Sequence, residues 1–484
     1  MNINFRLILS LLGYLITIIG LLMIIPAFID FFTDKKGSST FFIFSLIITF
    51  FGLSLAFSNK QEQTKPLSTK DGILLTIISW VSVVGLAALP LTFGYLQLSY
   101  TDSYFEIMSA VTTTGATNIP DLDKLSYGFH FWRALMQWIG GLGIIVAALV
   151  LMPSLQGGGM QLFKLEAFET FDNAIDKAKK IAMGMISIYV LITIIIFFAL
   201  LFIGELNFFD SIIHSLTSVS TAGFSNKNAS IAYYNNPKVE IILMVAMISG
   251  SLPYILLYNL FFLRKKSIFK DEQVIGFFKT VIIIILLLAI WLSFKNGIHF
   301  FTSLRYSSFS VITLITGTGY VSYNYSTLGN FPIMLLFAVM FIGGCAGSTA
   351  CGIKIYRFQV AYAMSLSYMD KLFLKKHISI PYYNGKPISS DAGIAVMIYF
   401  FLFFIILIVG SVIMSTLELD FITAFSAVVT CLTNVGPGLG EMIGPIGNFY
   451  EIPAFGKWVL SIIMLLGRLE IFGILIILSR KFWS

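Results

Sequence analysis

Four short segments set a lone glycine behind hydroxyl-bearing or small residues. They are Thr112-Thr113-Thr114-Gly115, Ser220-Thr221-Ala222-Gly223, Thr316-Gly317-Thr318-Gly319 and Thr433-Asn434-Val435-Gly436. The final glycines recur about every hundred residues, as a unit used four times would place them. The chemistry such segments suit is coordination of a dehydrated cation, because backbone carbonyls replace hydration oxygens without a fixed charge. Aiming successive carbonyls at one axis requires positive φ, which glycine adopts readily and β-branched residues resist. A single glycine of this kind reads equally as a helix C-cap or a small residue in a helix interface. Four in the same setting favour a ring of carbonyl ligands, an ion filter built inside one polypeptide.

Other chemistry is poorly supplied. Cys345, Cys351 and Cys431 fall at membrane depth, and neither they nor His130, His214, His299 and His377 have metal-ligand spacing, so no disulfide framework and no metal site are expected. The phosphate-cradling pattern GxxxxGK[ST] does not occur, which argues against ATP hydrolysis by this chain. With no nucleophile beside a base and no acid pair at depth, the expectation is a protein that is not an enzyme and binds no cofactor itself.

The elements that must position the four segments are membrane helices. Hydrophobic residues make up 57% of the 484 residues and charged ones 11%, with a mean hydropathy of +0.89, which points to a polytopic membrane protein. Two apolar runs, 7–29 and 41–57, form an N-terminal pair with no glycine segment between them, closed off by the polar stretch 59–70. Each later unit reads as a span, a half-helix of about a dozen residues, the glycine segment, and a second span. A dozen residues reach about 18 Å, against about 30 Å of hydrocarbon, so the half-helix must dip in and return. A non-helical return is tolerated only where protein buries it or where it lines a cavity. The expected fold is therefore all-α: four pseudo-symmetric repeats of span, pore loop and span around a central pore, preceded by two extra transmembrane helices. The divisions are 1–69 for the N-terminal pair, 70–165, 166–268 and 269–370 for three repeats, 371–390 for a cytoplasmic connector, and 391–484 for the fourth repeat.

Charge sets the expected orientation. With the N-terminus cytoplasmic, about 21 of the basic residues fall inside, about nine outside and one, Arg468, within a span. Because these residues punctuate apolar runs, the net charge of +7 is no sign of nucleic-acid binding. Asp102, Asp210 and Asp420 stand at the starts of three half-helices, with Thr302 and Ser303 in the third repeat, and read first as N-caps. In the connector, Lys371, Lys375 and Lys376 precede Tyr382-Tyr383-Asn384-Gly385, a hairpin-turn signal.

Residues 343–352 interrupt the second span of repeat three with four glycines among Ser, Thr, Ala and Cys. Glycine costs about 1 kcal/mol in a helix relative to alanine, so the stretch is poised to unwind. Its small-xxx-small spacing equally suits tight helix packing. Arg468, about a dozen residues into the final span, costs about 2.5–3.5 kcal/mol at that depth and should face the pore or a partner. Glu470 is a poor partner on a continuous helix, where residues two apart diverge.

These residues resemble the Trk/Ktr/HKT superfamily of potassium transporters, most closely its bacterial TrkH-type subunits. The resemblance covers nearly the whole chain. It rests on the four glycine segments, on Gly343-Gly344-Cys345-Ala346-Gly347-Ser348-Thr349-Ala350-Cys351-Gly352-Ile353-Lys354, and on Gly467-Arg468-Leu469-Glu470. It implies that K+ is the transported ion, with Rb+ or Na+ passing less selectively, through one pore per subunit of a homodimer in the lipid of the bacterial cytoplasmic membrane. It also implies a gate: an intramembrane loop below the filter carrying Gly343, Gly344, Gly347, Ser348, Thr349, Gly352 and Lys354, with Arg468 as an electrostatic barrier. A cytosolic regulatory ring of the TrkA type, which binds NAD(H) and adenine nucleotides, is the implied partner. This chain departs from the two-glycine signature of tetrameric potassium channels, and Asn434, Val435 and Pro437 suggest a less regular fourth segment.

A second reading is a secondary transporter of a small organic solute coupled to Na+ or H+, with a midplane site between inverted repeats. Inversion needs an odd number of spans per unit. Two spans and a re-entrant loop make parallel repeats, which disfavours it.

Overall fold

The computed structural model describes residues 3–33, 37–60, 67–151, 174–373 and 379–483. The boundary set at 165, Lys375, Lys376 and most of the polar stretch after Asn59 lie outside the described residues.

Helices form in the expected order. The N-terminal pair is Phe5–Leu22, continuing as Ile24–Phe32, and Ser38–Ser58. These two helices approach closely through Gly13, Gly20 and Gly52, each packed against backbone of the facing helix. Asp30, buried at the end of the pair, accepts from Ser126 Oγ at 2.9 Å and from the Gly128 amide at 2.6 Å, which fastens it to the first repeat.

The first spans of the repeats are Thr69–Phe93, Lys180–Phe202, Glu272–Lys295 and Ser390–Ser415. In the last three of these only 33% of the apolar window is buried, so they lie on the outside of the bundle. The half-helices are the opposite. Tyr100–Val111, Phe208–Val219, Phe300–Ile315 and Phe421–Thr433 are largely buried beyond their first turns and form the inside of the bundle. Their 12, 12, 16 and 13 residues reach about 18–24 Å, too short to cross.

The acids at the half-helix starts divide into two kinds. Asp420 is an N-cap, accepting from the Thr423 amide at 3.1 Å. Asp102 and Asp210 lie in the first turn instead, and Ser99 and Asn207 are the caps, accepting from the amides of those aspartates. A carboxylate in the first turn still complements the positive helix end.

The second spans hold the main correction. Tyr127–Leu151 is continuous, whereas the expected second spans of repeats two and four are both broken. Pro237–Ser251 and Tyr254–Phe261 meet at 98°, and Ala454–Arg468 and Phe472–Leu478 at 110°. Pro253 explains the first break, because it lacks an N–H and drives Leu252 out of helical geometry to ψ 152°. The second break has no proline. Glu470 and Ile471 instead adopt φ of 56° and 62°, a strained conformation for a β-branched residue. In repeat three the helix Asn330–Val339 ends, and the chain becomes helical again only at Ile355–Phe373. The unwound alternative for 343–352 therefore holds, and a two-residue parallel pairing of Ile342–Gly343 with Ile353–Lys354 closes the neck of the loop.

In the connector, Tyr382–Tyr383 pairs antiparallel with Lys386–Pro387 across Asn384 and Gly385, both at positive φ, as the turn signal requires. Asn384 accepts from the Glu272 amide at 2.7 Å and donates to Asp271 at 2.9 Å, docking the hairpin at the start of the third repeat's first span.

Candidate functional site

In all four glycine segments the sign of φ alternates over four residues. The glycines Gly115, Gly223, Gly319 and Gly436 have φ of 80°, 80°, 80° and 103°. Two places earlier Thr113, Thr221, Gly317 and Asn434 have φ of 53°, 51°, 74° and 52°, while the residues before and between them stay on the ordinary negative side. Alternation of this kind turns successive carbonyls toward one side, as a ring of carbonyl ligands requires. The fourth segment, expected to be less regular, keeps the same pattern. Three of the four earlier positions are not glycine; Gly317, and Asn434 with its tolerance of left-handed backbone, were the sequence signals of this second site.

The glycines close a circuit. A methyl group on Gly115 would overlap the Ala222 carbonyl oxygen, one on Gly223 that of Thr318, and one on Gly319 that of Val435. On Gly436 it would lie 2.8 Å from the Thr114 oxygen. Each repeat thus abuts the next, and the fourth returns to the first. All four glycines line one cavity. Among the described residues, no protein donor meets the carbonyls of Gly115, Gly223, Gly319 or Gly436, nor those of Thr113, Thr221, Gly317 or Asn434. Side chains behind the ring tie the segments together. Thr112 pairs with Thr114 and Thr316 with Thr318, both at 2.8 Å, and Asn434 donates to Thr114 Oγ1 at 2.9 Å; Ser220 and Thr433 bond back to carbonyls of their own half-helices.

Charged and polar groups brace this ring, and sequence reasoning missed their pairing: it counted the basic residues for topology and read Asp102 as a cap. Arg133 Nε meets Glu106 at 2.7 Å with the side chains 1% and 0% exposed, and Glu106 also accepts from Thr117 Oγ1 and the Asn118 amide just past Gly115. Lys457 of repeat four reaches Asp102 of repeat one at 2.6 Å, and Arg305 of repeat three reaches Glu240 of repeat two at 2.7 Å. Gln137 bonds both sides of Gly223, at the Ala222 carbonyl and the Phe224 amide. The available signal was a base and an acid among apolar neighbours, within repeat one for Arg133 and Glu106 and in neighbouring repeats for the other two pairs. At the mouth Asp420 is exposed, and hydrogen bonds from the Thr423 side chain and amide hold its carboxyl below the usual carboxylate range.

The loop 343–352 touches every repeat. Cys351 Sγ lies 3.4 Å from Thr113 Oγ1 in repeat one, and Thr349 Oγ1 lies 3.2 Å from Thr221 Oγ1 in repeat two. Cys351 also packs against Gly317 in the parent repeat. From repeat four, Arg468 donates through Nη1 to the Thr349 carbonyl at 3.0 Å and to Cys351 Sγ at 2.7 Å. The loop therefore lies across the axis directly behind the ring.

Backbone freed at the break in repeat two holds the loop. The Cys345 amide donates to Ser251 O at 3.1 Å, the Thr349 amide to Gly250 O at 3.0 Å, and the Tyr254 amide to Gly347 O at 2.9 Å. Gly343 packs against the Cys351 carbonyl and Gly344 against Ala350, Ser348 Oγ bonds Cys345 O, Gly352 takes φ of 75°, and Lys354 Nζ folds back onto Ala350 O. Glu470, excluded as a partner of Arg468 on a continuous helix, pairs across the break with Arg357 at 2.5 Å, and Arg357 also lies 3.7 Å from the Tyr399 ring centroid.

Comparisons with known proteins agree with this arrangement. The TrkH family, described as a cation transport protein, matches residues 37–484. The potassium uptake protein TrkI of Halomonas elongata is 36% identical over 98% of this chain and 96% of its own. TrkH of Escherichia coli K12 is 30% identical over 99% of both chains. The crystal structure of the potassium transporter TrkH from Vibrio parahaemolyticus superposes with a TM-score of 0.90 at 28% identity, covering 99% of this chain and all of that one.

Proposed function

Since the chain belongs to the TrkH family of cation transport proteins, we propose that it takes up potassium across the bacterial cytoplasmic membrane, the four glycine segments acting as a carbonyl-lined selectivity filter. The closed circuit of glycines against carbonyls carries this reading. An ion shed of water needs several oxygens at once, and the ring offers carbonyls with no protein donor of their own. The half-helices aim their negative C-terminal ends at the same place, favouring a cation over an anion. Rb+ passes like K+, and Na+ less well.

The loop and Arg468 are the gate in this reading. A buried guanidinium directly behind the ring opposes a cation arriving there, and the loop obstructs the path sterically. Opening requires the loop to leave Arg468 and the broken helix of repeat two. The helix Ile355–Phe373 begins at the loop and runs toward the connector, whose hairpin grips Asp271 and Glu272. A cytosolic TrkA-type ring that binds NAD(H) and adenine nucleotides docks on that connector and moves the loop through this helix. The subunit works as a homodimer with its N-terminus in the cytoplasm, and its repeats divide at 70, 166, 269 and 391.

Purified full-length protein in proteoliposomes tests the proposal. K+ and Rb+ influx exceeding that of Na+ and Li+ is expected. Currents driven by an amino acid or sugar, with none driven by K+, would overturn it in favour of a solute transporter.

A further inference from the structure

We infer that Gln137 is a specificity-determining residue of the ring, acting from behind the segment of repeat two. The inference rests on the reading of the ring as the ion path. Gln137 belongs to the second span of repeat one and is fully buried. Its Nε2 donates to the Ala222 carbonyl at 2.8 Å, and its Oε1 accepts from the Phe224 amide at 3.1 Å. One side-chain amide therefore spans Gly223 and uses both of its polar atoms on the backbone.

The same place in the other repeats is different. The carbonyls of Thr114, Thr318 and Val435 lie against the neighbouring glycine just as that of Ala222 does. Among the described residues none of those three meets a protein donor. The ring thus has one marked member, and its mark comes from a neighbouring repeat.

Two physical consequences follow, and they act in the same direction. A carbonyl already engaged by an amide donor offers an ion less electron density, and a weaker ligand field favours the larger, more easily dehydrated cation. The two-point clamp also prevents the peptides around Gly223 from rotating inward to close around a smaller ion. Gln137 therefore holds discrimination toward K+ and Rb+ and against Na+. It touches no ion and works through Ala222 and Gly223, so it is a positioning residue.

The test compares Rb+ and Na+ influx through wild type, Gln137→Met and Gln137→Glu, as full-length protein in proteoliposomes at matched amounts. Methionine keeps the size and removes both hydrogen bonds, while glutamate still accepts from the Phe224 amide and loses the donor to Ala222. The Rb+ to Na+ influx ratio is expected to fall about fivefold in Gln137→Met, the scale of one modest hydrogen bond, and at least as far in Gln137→Glu, where the donor is lost and a carboxylate adds negative charge behind the ring, with Rb+ influx retained. If Gln137→Met does not fold, Gln137→Glu decides alone. A ratio that stays at the wild-type value, including one in which both fluxes drop in proportion, overturns the inference and leaves the ring as the ion path. No Rb+ or Na+ influx in wild type, nor in protein freed of its gate by Arg468→Ala, overturns the ion path and this inference with it.

Discussion

Arg468 donates to the Thr349 carbonyl at 3.0 Å, joining the last helix before a 110° bend to a loop that grows out of a different repeat. Its second terminal nitrogen, Nη2, reaches Gly140 O at 3.2 Å. Among the described residues no carboxylate lies within ion-pair distance of this guanidinium, and Glu470 is taken by Arg357. The charge is held by neutral acceptors, with no carboxylate beside it among the described residues.

Arg468→Ala removes both the charge and the tie to the loop. Hydrogen bonds from a charged group contribute about 1.5–3 kcal/mol each, so basal Rb+ influx should rise by about tenfold or more. Proteoliposome uptake without any cytosolic partner measures this, and influx equal to wild type at equal protein would remove Arg468 from the gate.

The circuit of glycines makes position-specific demands. Gly223→Ala forces a methyl into the Thr318 carbonyl and places a side chain at φ of 80°, so cation influx should be lost. At Gly72, inside the helix Thr69–Ala87, an added methyl meets open space, and Gly72→Ala should transport normally with up to about 1 kcal/mol of added helix stability. Retained Rb+ uptake in folded Gly223→Ala protein would contradict the close approach.

The Glu106–Arg133 pair is almost wholly buried, and breaking such a pair by removing one partner costs about 3–5 kcal/mol. Glu106→Gln should lower the melting temperature in detergent markedly, and replacing both residues with apolar ones should recover part of the loss. The exposed pair of Glu205 and Lys238 is screened by solvent, so Glu205→Gln should melt like wild type. Equal melting temperatures for the Glu106 and Glu205 variants would refute the contrast.

Glu470 and Ile471 hold a strained backbone immediately after Arg468, and the Arg357 ion pair anchors it. Glu470→Gln weakens that anchor, letting the break relax toward helix and shifting Arg468 along the axis. Basal Rb+ influx should rise severalfold, less than in Arg468→Ala. A variant with lowered influx and unaltered stability would show that the pair opens the path instead of closing it.

Much of this protein was determined by local composition. Apolar length and the shortfall of the half-helices required re-entrant loops, because a bilayer offers no water to an unpaired backbone. The fourfold recurrence of Gly115, Gly223, Gly319 and Gly436 required a ring, and glycine-rich 343–352 was legible as a weak helix. The breaks at Leu252 and Glu470 were harder. Pro253 was visible in an apolar run, yet proline also occurs within membrane helices, and Glu470 and Ile471 carry no backbone signature at all. Only the tertiary structure decided those breaks, because the backbone freed at the first is satisfied by Cys345, Gly347 and Thr349, and the second is held through the Glu470 side chain by Arg357, all distant in sequence. The left-handed Thr113 and Thr221 were hidden for the same reason: their strain is tolerated only because neighbouring repeats enclose them. Patterns along the chain report what each segment cannot do alone in lipid. Which segment supplies the missing partner is settled when the four repeats close on one another.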